Sequence, residues 1–249
     1  PGRTVVGCYD RVRAFRRGTV RVPKLLDAAG HLRAGWASTS VEYVDVPFLA
    51  SIPLTVPMAG APVTLLIPGY GRGRLDAREL SNEFAGSLGA IVLAVELDRH
   101  GERTVDPTTG MPDLVDVRSN GIVEVAMDQP DGVPDRSGVG FYRGEPQALR
   151  DVQIAATIEL LHVLETLKRR DAFVTQGIEP DGRQVNVVAQ GQTAHIALHL
   201  GAFAGNIRTM VLPSGGAGIK ELISAGPEAI KDGFLASAPA GVTRANLDA

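Results

Sequence analysis

The sequence predicts an α/β fold: a doubly wound, mostly parallel sheet with helices on both faces. Three observations predict it. Short β-branched apolar runs alternate with helix-like stretches along most of the chain. No internal repeat or low-complexity run replaces that alternation. Finally, 44% of the 249 residues are hydrophobic, enough to bury one large core without dividing the chain. A single domain over residues 1–249 is expected, with an N-terminal β region at 1–60 and an insertion at 101–145.

The elements follow in order. "GTVRVPKLL" and "STSVEYVDVPFLASIPLTVP" read as strands interrupted by Pro23, Pro47, Pro53 and Pro57. That density suits edge strands and loops, because proline donates no ladder hydrogen bond. In "APVTLLIPGYG" the apolar run Val63 to Ile67, bounded by Pro62 and Pro68, fits a strand covered on both faces. "LDARELSNEFAGSLG" places Leu75, Leu80, Phe84 and Leu88 at helical spacing, with Gly89 positioned to end the helix. "AIVLAVEL" is a second buried strand, and the strand–helix–strand unit it completes is expected to be right-handed. Residues 101–145, rich in Gly, Pro and Asp, read as a lid-like loop with a short strand at "GIVEVAM". Pro146 then opens a long helix whose Leu149, Val152, Ala156, Leu160, Val163 and Leu167 recur every three or four residues. "QVNVVAQ" (strand), Thr193 to Phe203 (helix) and "IRTMVLPS" (strand) continue the alternation.

A net charge of -3 supplies no basic field to draw the chain to nucleic acid or an anionic membrane. No stretch approaches the roughly 20 apolar residues that span a bilayer, so no transmembrane segment is expected. A small-molecule or protein partner is expected instead. Cys8, the one cysteine, cannot form an intrachain disulfide and reads as a small half-buried hydrophobe. A soluble protein is expected, and a chain opening on Pro1 leaves room for a removed leader and a secreted or cell-envelope location.

In an open parallel sheet the ligand lies beyond the carboxyl ends of the strands, which singles out "PGYGRG", "ELDRHGER" and "AQGQTAH". The glycine-rich turn "PGYGRG" can aim backbone N–H groups at an oxyanion or phosphate, but its spacing fits neither a P-loop nor a dinucleotide fingerprint. "VNVVAQGQTAHIALHL" has the strand, tight turn and helix of a nucleophile elbow, with small residues at Ala189, Thr193 and Ala194. Gly191 occupies the nucleophile position and has no side chain to attack with. Thr193 is the nearby hydroxyl that could substitute, although it lies one turn down the helix. The plain alternative is a strand-to-helix turn in which Gly191 relieves a strained backbone. Among the histidines, His100 is best placed to face the site or to hold Asp98 or Glu102. His195 and His199 form an i, i+4 pair lacking the intervening Glu of a zinc motif, and no metal is expected there. Asp128, Asp131 and Asp135 match no calcium loop and read as a solvated turn.

Taken in order, "RGTVRVPKLLDAAGHL", "VTLLIPGYG", "AIVLAVELDRHGER", "ALRDVQIAATIELLHVL", "VVAQGQTAHIAL" and "TMVLPSGGAGIKELI" resemble the α/β-hydrolases, within them the bacterial lipase-like and esterase-like group, over most of residues 17 to 225. The resemblance implies an ester-hydrolysing fold that needs no cofactor, with an oxyanion hole at the backbone of Tyr70 and Gln192, beside Gly71. It also marks departures: Pro68 stands for the family His, Gly191 for the Ser, and Thr193 and Ala194 for the paired glycines. No His follows His199, so the part of the fold carrying the late catalytic Asp and His is expected to be missing. The implied protein is a serine-hydrolase-like chain, inactive or incomplete as written, that takes an ester-like ligand. The alternative is a non-catalytic subunit of the same fold, joined by a protein partner that covers an open sheet edge.

Overall fold

The computed structural model describes residues 9–27, 29–36, 41–69, 72–100, 103, 146–169, 173, 176–213, 215, 231, 234–235 and 238–248. Cys8, the "GIVEVAM" strand, the aspartates of the 128–135 turn and nearly all of the 101–145 insertion lie outside them. The described chain runs β1 (Val12–Pro23), β2 (Tyr43–Pro53), β3 (Ala61–Ile67), α1 (Ala77–Leu88), β4 (Ile91–Val95), α2 (Pro146–Lys168), β5 (Pro180–Ala189), α3 (Ala194–Phe203), β6 (Ile207–Val211) and α4 (Arg244–Asp248).

These form one sheet in the order β1-β2-β4-β3-β5-β6. β3 pairs in parallel with β4 and β5, and β5 with β6, while β2 is antiparallel to both β1 and β4. Five strands therefore point one way and β2 the other, which is the mostly parallel α/β sheet that the alternation predicts.

Side chains alternate across a strand, and here both faces are covered. Val63, Leu65 and Ile67 of β3, Ile91, Leu93 and Val95 of β4, and Val185, Val187 and Ala189 of β5 join the core under α2 and α3. Leu66, Val92, Ala94 and Val188 face the other way, into a smaller cluster with Ala77 of α1. α2 is amphipathic as its spacing predicts: Leu149, Val152, Ala156, Leu160, Val163 and Leu167 are all buried.

α1 forms where the spacing of Leu75, Leu80, Phe84 and Leu88 predicts a helix. Its buried row is Ala77, Ser81 and Ala85, with Leu75, Leu80 and Phe84 packed at the flank and Leu88 50% exposed. Small residues on the contact row let the helix axis approach the strands closely, and the large ones close the sides. Gly89 ends the helix in the left-handed region (φ 57°), as expected. One expectation is corrected: Pro47, read as suiting an edge strand or loop, lies inside β2, a strand paired on both sides. Its carbonyl accepts from the Glu96 N–H (2.9 Å), so its backbone faces the β4 side one residue beyond Val95, the last of β4. The missing proline donor falls where the ladder has already ended.

The packing sets an asymmetric expectation for truncations. Leu164→Ala, at a fully buried site of α2, should lower the urea unfolding free energy by about 2–5 kcal/mol. Leu88→Ala, on the exposed end of α1, should stay within about 0.5 kcal/mol of the parent. Comparable losses at both positions would show that the Leu88 stripe is the true packing face.

Candidate functional site

β4, β3 and β5 are parallel neighbours, so their carboxyl ends share one edge of the sheet. The segments that follow them interlock there. From the β3 side, Ile67 O accepts the Gln190 N–H (3.3 Å), and a Cβ placed on Gly69 would stand 2.5 Å from Gln190 O, so this approach requires glycine. Tyr70 and Gly71, the expected oxyanion position, lie outside the described residues.

The elbow itself is a strand, a one-residue reversal and a helix. Gln190 continues β5 in extended form (φ −99°, ψ 129°), and Gly191 then turns left-handed (φ 64°). A 3-10 turn over Gly191–Thr193, with Gln192 at its centre, leads into α3. Ala189 and Ala194 are buried on either side of the turn. The Gly191 N–H donates to Pro213 O (3.0 Å), tying the apex to the segment after β6. Among the described residues, a Cβ built on Gly191 would meet nothing within 4 Å. The apex has room for a side chain and carries none.

Thr193 is held away from solvent. It is only 1% exposed, and its Oγ1 lies 3.2 Å from both Ile67 O and Gln190 O, so the hydroxyl donates into a clasp between the ends of β3 and β5.

All five histidines lie among the described residues, and four of them have polar partners. His195 is buried, with Nε2 hydrogen-bonded to Gln153 Oε1 of α2, and its ring centroid is 6.5 Å from that of His199. His31 Nδ1 is 3.8 Å from Asp151, and His162 bonds the Arg21 backbone. His100 is buried after β4, with Nδ1 2.8 Å from Asp98 O. Burial lowers its pKa to about 4, outweighing the opposing pull of Asp98, so it is neutral at pH 7. Among the described residues no group of three His, Cys, Asp or Glu side chains could hold a metal.

A charged cluster that the sequence reading missed joins these loops to α2. Glu96, just after β4, pairs with the Arg74 guanidinium and accepts the Arg74 N–H (3.2 Å). Arg103 donates to Glu96 O (2.9 Å) and makes a bidentate pair with Glu159 of α2 (2.7 and 3.0 Å). Burial works against the Arg103 charge, but Glu159, then Asp98 and Glu96, outweigh it and hold its pKa above the usual arginine value. Asp98 lies 3.6 Å from Arg99 and 3.8 Å from Arg103. The one signal in the sequence was Glu159 itself, an acid standing beside Leu160 in the apolar stripe of α2.

No protein-family model matches the sequence, and no curated protein matches it. Among solved structures the chain is similar to a cold-adapted esterase from an Arctic intertidal metagenomic library (TM-score 0.43, 12% identity, covering 80% of this chain and 59% of that one). It is also similar to a peroxisomal alpha-beta-hydrolase from Saccharomyces cerevisiae (0.46, 11%, 82% and 45%) and to an alpha/beta hydrolase from the metagenome of Lake Arreo, Spain (0.48, 9%, 95% and 58%). The chain thus spans 45% to 59% of the length of these three proteins.

His100 sets a pH expectation. Below its ordinary value of 6.5 the unfolded chain binds a proton that the folded chain refuses until about pH 4. Stability should therefore fall by about 3 kcal/mol as pH drops through that window. Urea titrations of His100→Gln should show a shallower decline over the same range; an unchanged slope would place the proton elsewhere. The mixed sheet, the helices on both faces and the strand–turn–helix at Gly191 together make this an α/β-hydrolase-like fold.

Proposed function

We propose that this chain is a serine-hydrolase-like protein of the lipase or esterase class in which Gly191 holds the place of the nucleophile, so that it binds an ester-like small molecule at the sheet edge without hydrolysing it. The observation that carries this reading is the apex: a left-handed glycine between β5 and α3, open above and clasped below, with no side chain able to form an acyl intermediate. Loss of a triad nucleophile leaves only the residual acceleration from oxyanion stabilisation and binding. The histidines add support, since His31, His100, His162 and His195 each hold a polar partner away from Gly191.

A second reading, a non-catalytic subunit completed by another chain, is favoured by the β6 side of the sheet. Among the described residues β6 is an end strand, with Val211 exposed, and Leu198 and Phe203 of α3 are exposed as well, Phe203 by 74%. Light scattering separates the readings: the first predicts a stable monomer, the second an assembly.

Intact-mass analysis after treatment with a fluorophosphonate ester probe tests the main reading. The wild-type chain should gain no probe and should not hydrolyse p-nitrophenyl butyrate above background. Gly191→Ser should fold, because the apex has room, at a cost of about 1–2 kcal/mol for a left-handed side-chain-bearing residue. It should still turn over slowly for want of a base. Stoichiometric labelling of the wild type would overturn the proposal, and so would turnover by Gly191→Ser on the order of 1–1000 s⁻¹.

A further inference from the structure

The strongest unused feature lies at the opposite end of the sheet. β1 is an end strand among the described residues and carries four arginines, Arg13, Arg16, Arg17 and Arg21, with Arg11 just before it and no acid between them, in a chain whose net charge is -3. All five are exposed. The cross-strand neighbours of Arg16 and Arg17 are Ala50 and Leu49, so the sheet gives them no carboxylate. Asp10, nearby in sequence, instead accepts from Asn82 Nδ2 (2.9 Å). Arg17 shares a strand face with Phe15. Over the Phe15 ring, at 5.7 Å, sits the guanidinium of Arg78 from α1, whose buried Nε has no hydrogen-bond partner, and Tyr9 packs edge-on against the same ring at 4.9 Å.

The backbone is available in the same place. Because Pro47 O is turned toward β4, its partner Thr19 presents its own N–H and C=O outward, and so do Phe15, Arg17 and Arg21 at alternate positions. Gln176 Nε2 takes Thr19 O (3.2 Å) and His162 bonds Arg21, but among the described residues the outward groups of Phe15 and Arg17 have no partner.

We propose that the β1 edge from Arg13 to Arg17 docks an extended acidic peptide of a partner protein, adding it as a strand to Phe15 and Arg17 while its carboxylates meet Arg13, Arg16, Arg17 and Arg78. An extended ligand fits because the guanidiniums are spread along a strand, about 13 Å from Arg13 to Arg17, and over more than one face. A compact anion would reach only some of them. Main-chain pairing sets the register, and alternate side chains read the charges.

Fluorescence anisotropy of a labelled peptide of repeating Glu-Glu-Thr-Thr, which presents carboxylates on both faces of an added strand, tests this at low salt. The wild-type chain should bind it saturably. Arg13→Gln/Arg16→Gln/Arg17→Gln should weaken binding about tenfold or more, and the corresponding Lys variant should lose less. A peptide with Pro in place of each Thr should bind as poorly as the Gln variant allows, because it cannot pair with the edge. Near-UV circular dichroism verifies that the exposed substitutions leave the fold intact. The proposal is overturned by an absence of saturable binding, by equal affinity for the Pro peptide, by indifference to the Gln substitutions, or by preference for heparin or phosphatidylserine vesicles over the peptide. None of these outcomes depends on Gly191, so the test is independent of the hydrolase-like reading.

Discussion

The site depends on the join between the carboxyl ends of β3 and β5. Ile67 O receives the Gln190 N–H and lies within reach of the Thr193 hydroxyl, and Gly69 leaves no room for a Cβ against Gln190 O. With β3 and β5 held that close, the chain leaving β5 must reverse within one residue to enter α3. That is why a left-handed residue stands at 191 and small buried residues stand at Ala189 and Ala194. The elbow is thus a consequence of sheet packing, and it persists whether or not its apex bears a reactive group.

A second constraint braces the same edge from the β4 side. Arg74, Glu96, Arg103 and Glu159 tie the segment after β3, the segment after β4 and the middle of α2 into one buried ionic network. Such a network contributes less net stability than its contacts suggest, because desolvating the charges offsets their attraction. Removing one member is costly, since its partner is left charged and buried. Its effect here is positional: the loops are held against α2, with His100 kept neutral beside them by burial.

The fold was legible wherever one face decides the pattern. The run Val63 to Ile67, the stripe of α2 and the stop at Gly89 all translate directly, because burial on both faces, on one stripe, or at a left-handed cap each leaves its own mark on the sequence. The contact row of α1 left no such mark, because the periodicity of its large residues outweighs Ala77, Ser81 and Ala85 on any hydrophobicity scale, whereas close helix–sheet contact selects small residues. Pro47 was assigned an edge by rule, but what matters is which way its missing donor points. At the site, the turn around Gly191 was readable from local spacing. The clasp by Thr193 and the pairing of Arg103 with Glu159 were not, because they join residues 126 and 56 positions apart in the chain.

The central claim is that the apex region binds an ester-like ligand and leaves it intact. A ¹H–¹⁵N correlation spectrum of the wild-type chain, titrated with p-nitrophenyl butyrate while the same sample is followed for released p-nitrophenol, tests it most directly. The account predicts saturable shifts of the Gly191, Gln192 and Thr193 amides with no release above background. Release that tracks the amount of protein would contradict it, as would amides at 191–193 that stay unmoved at saturating ligand.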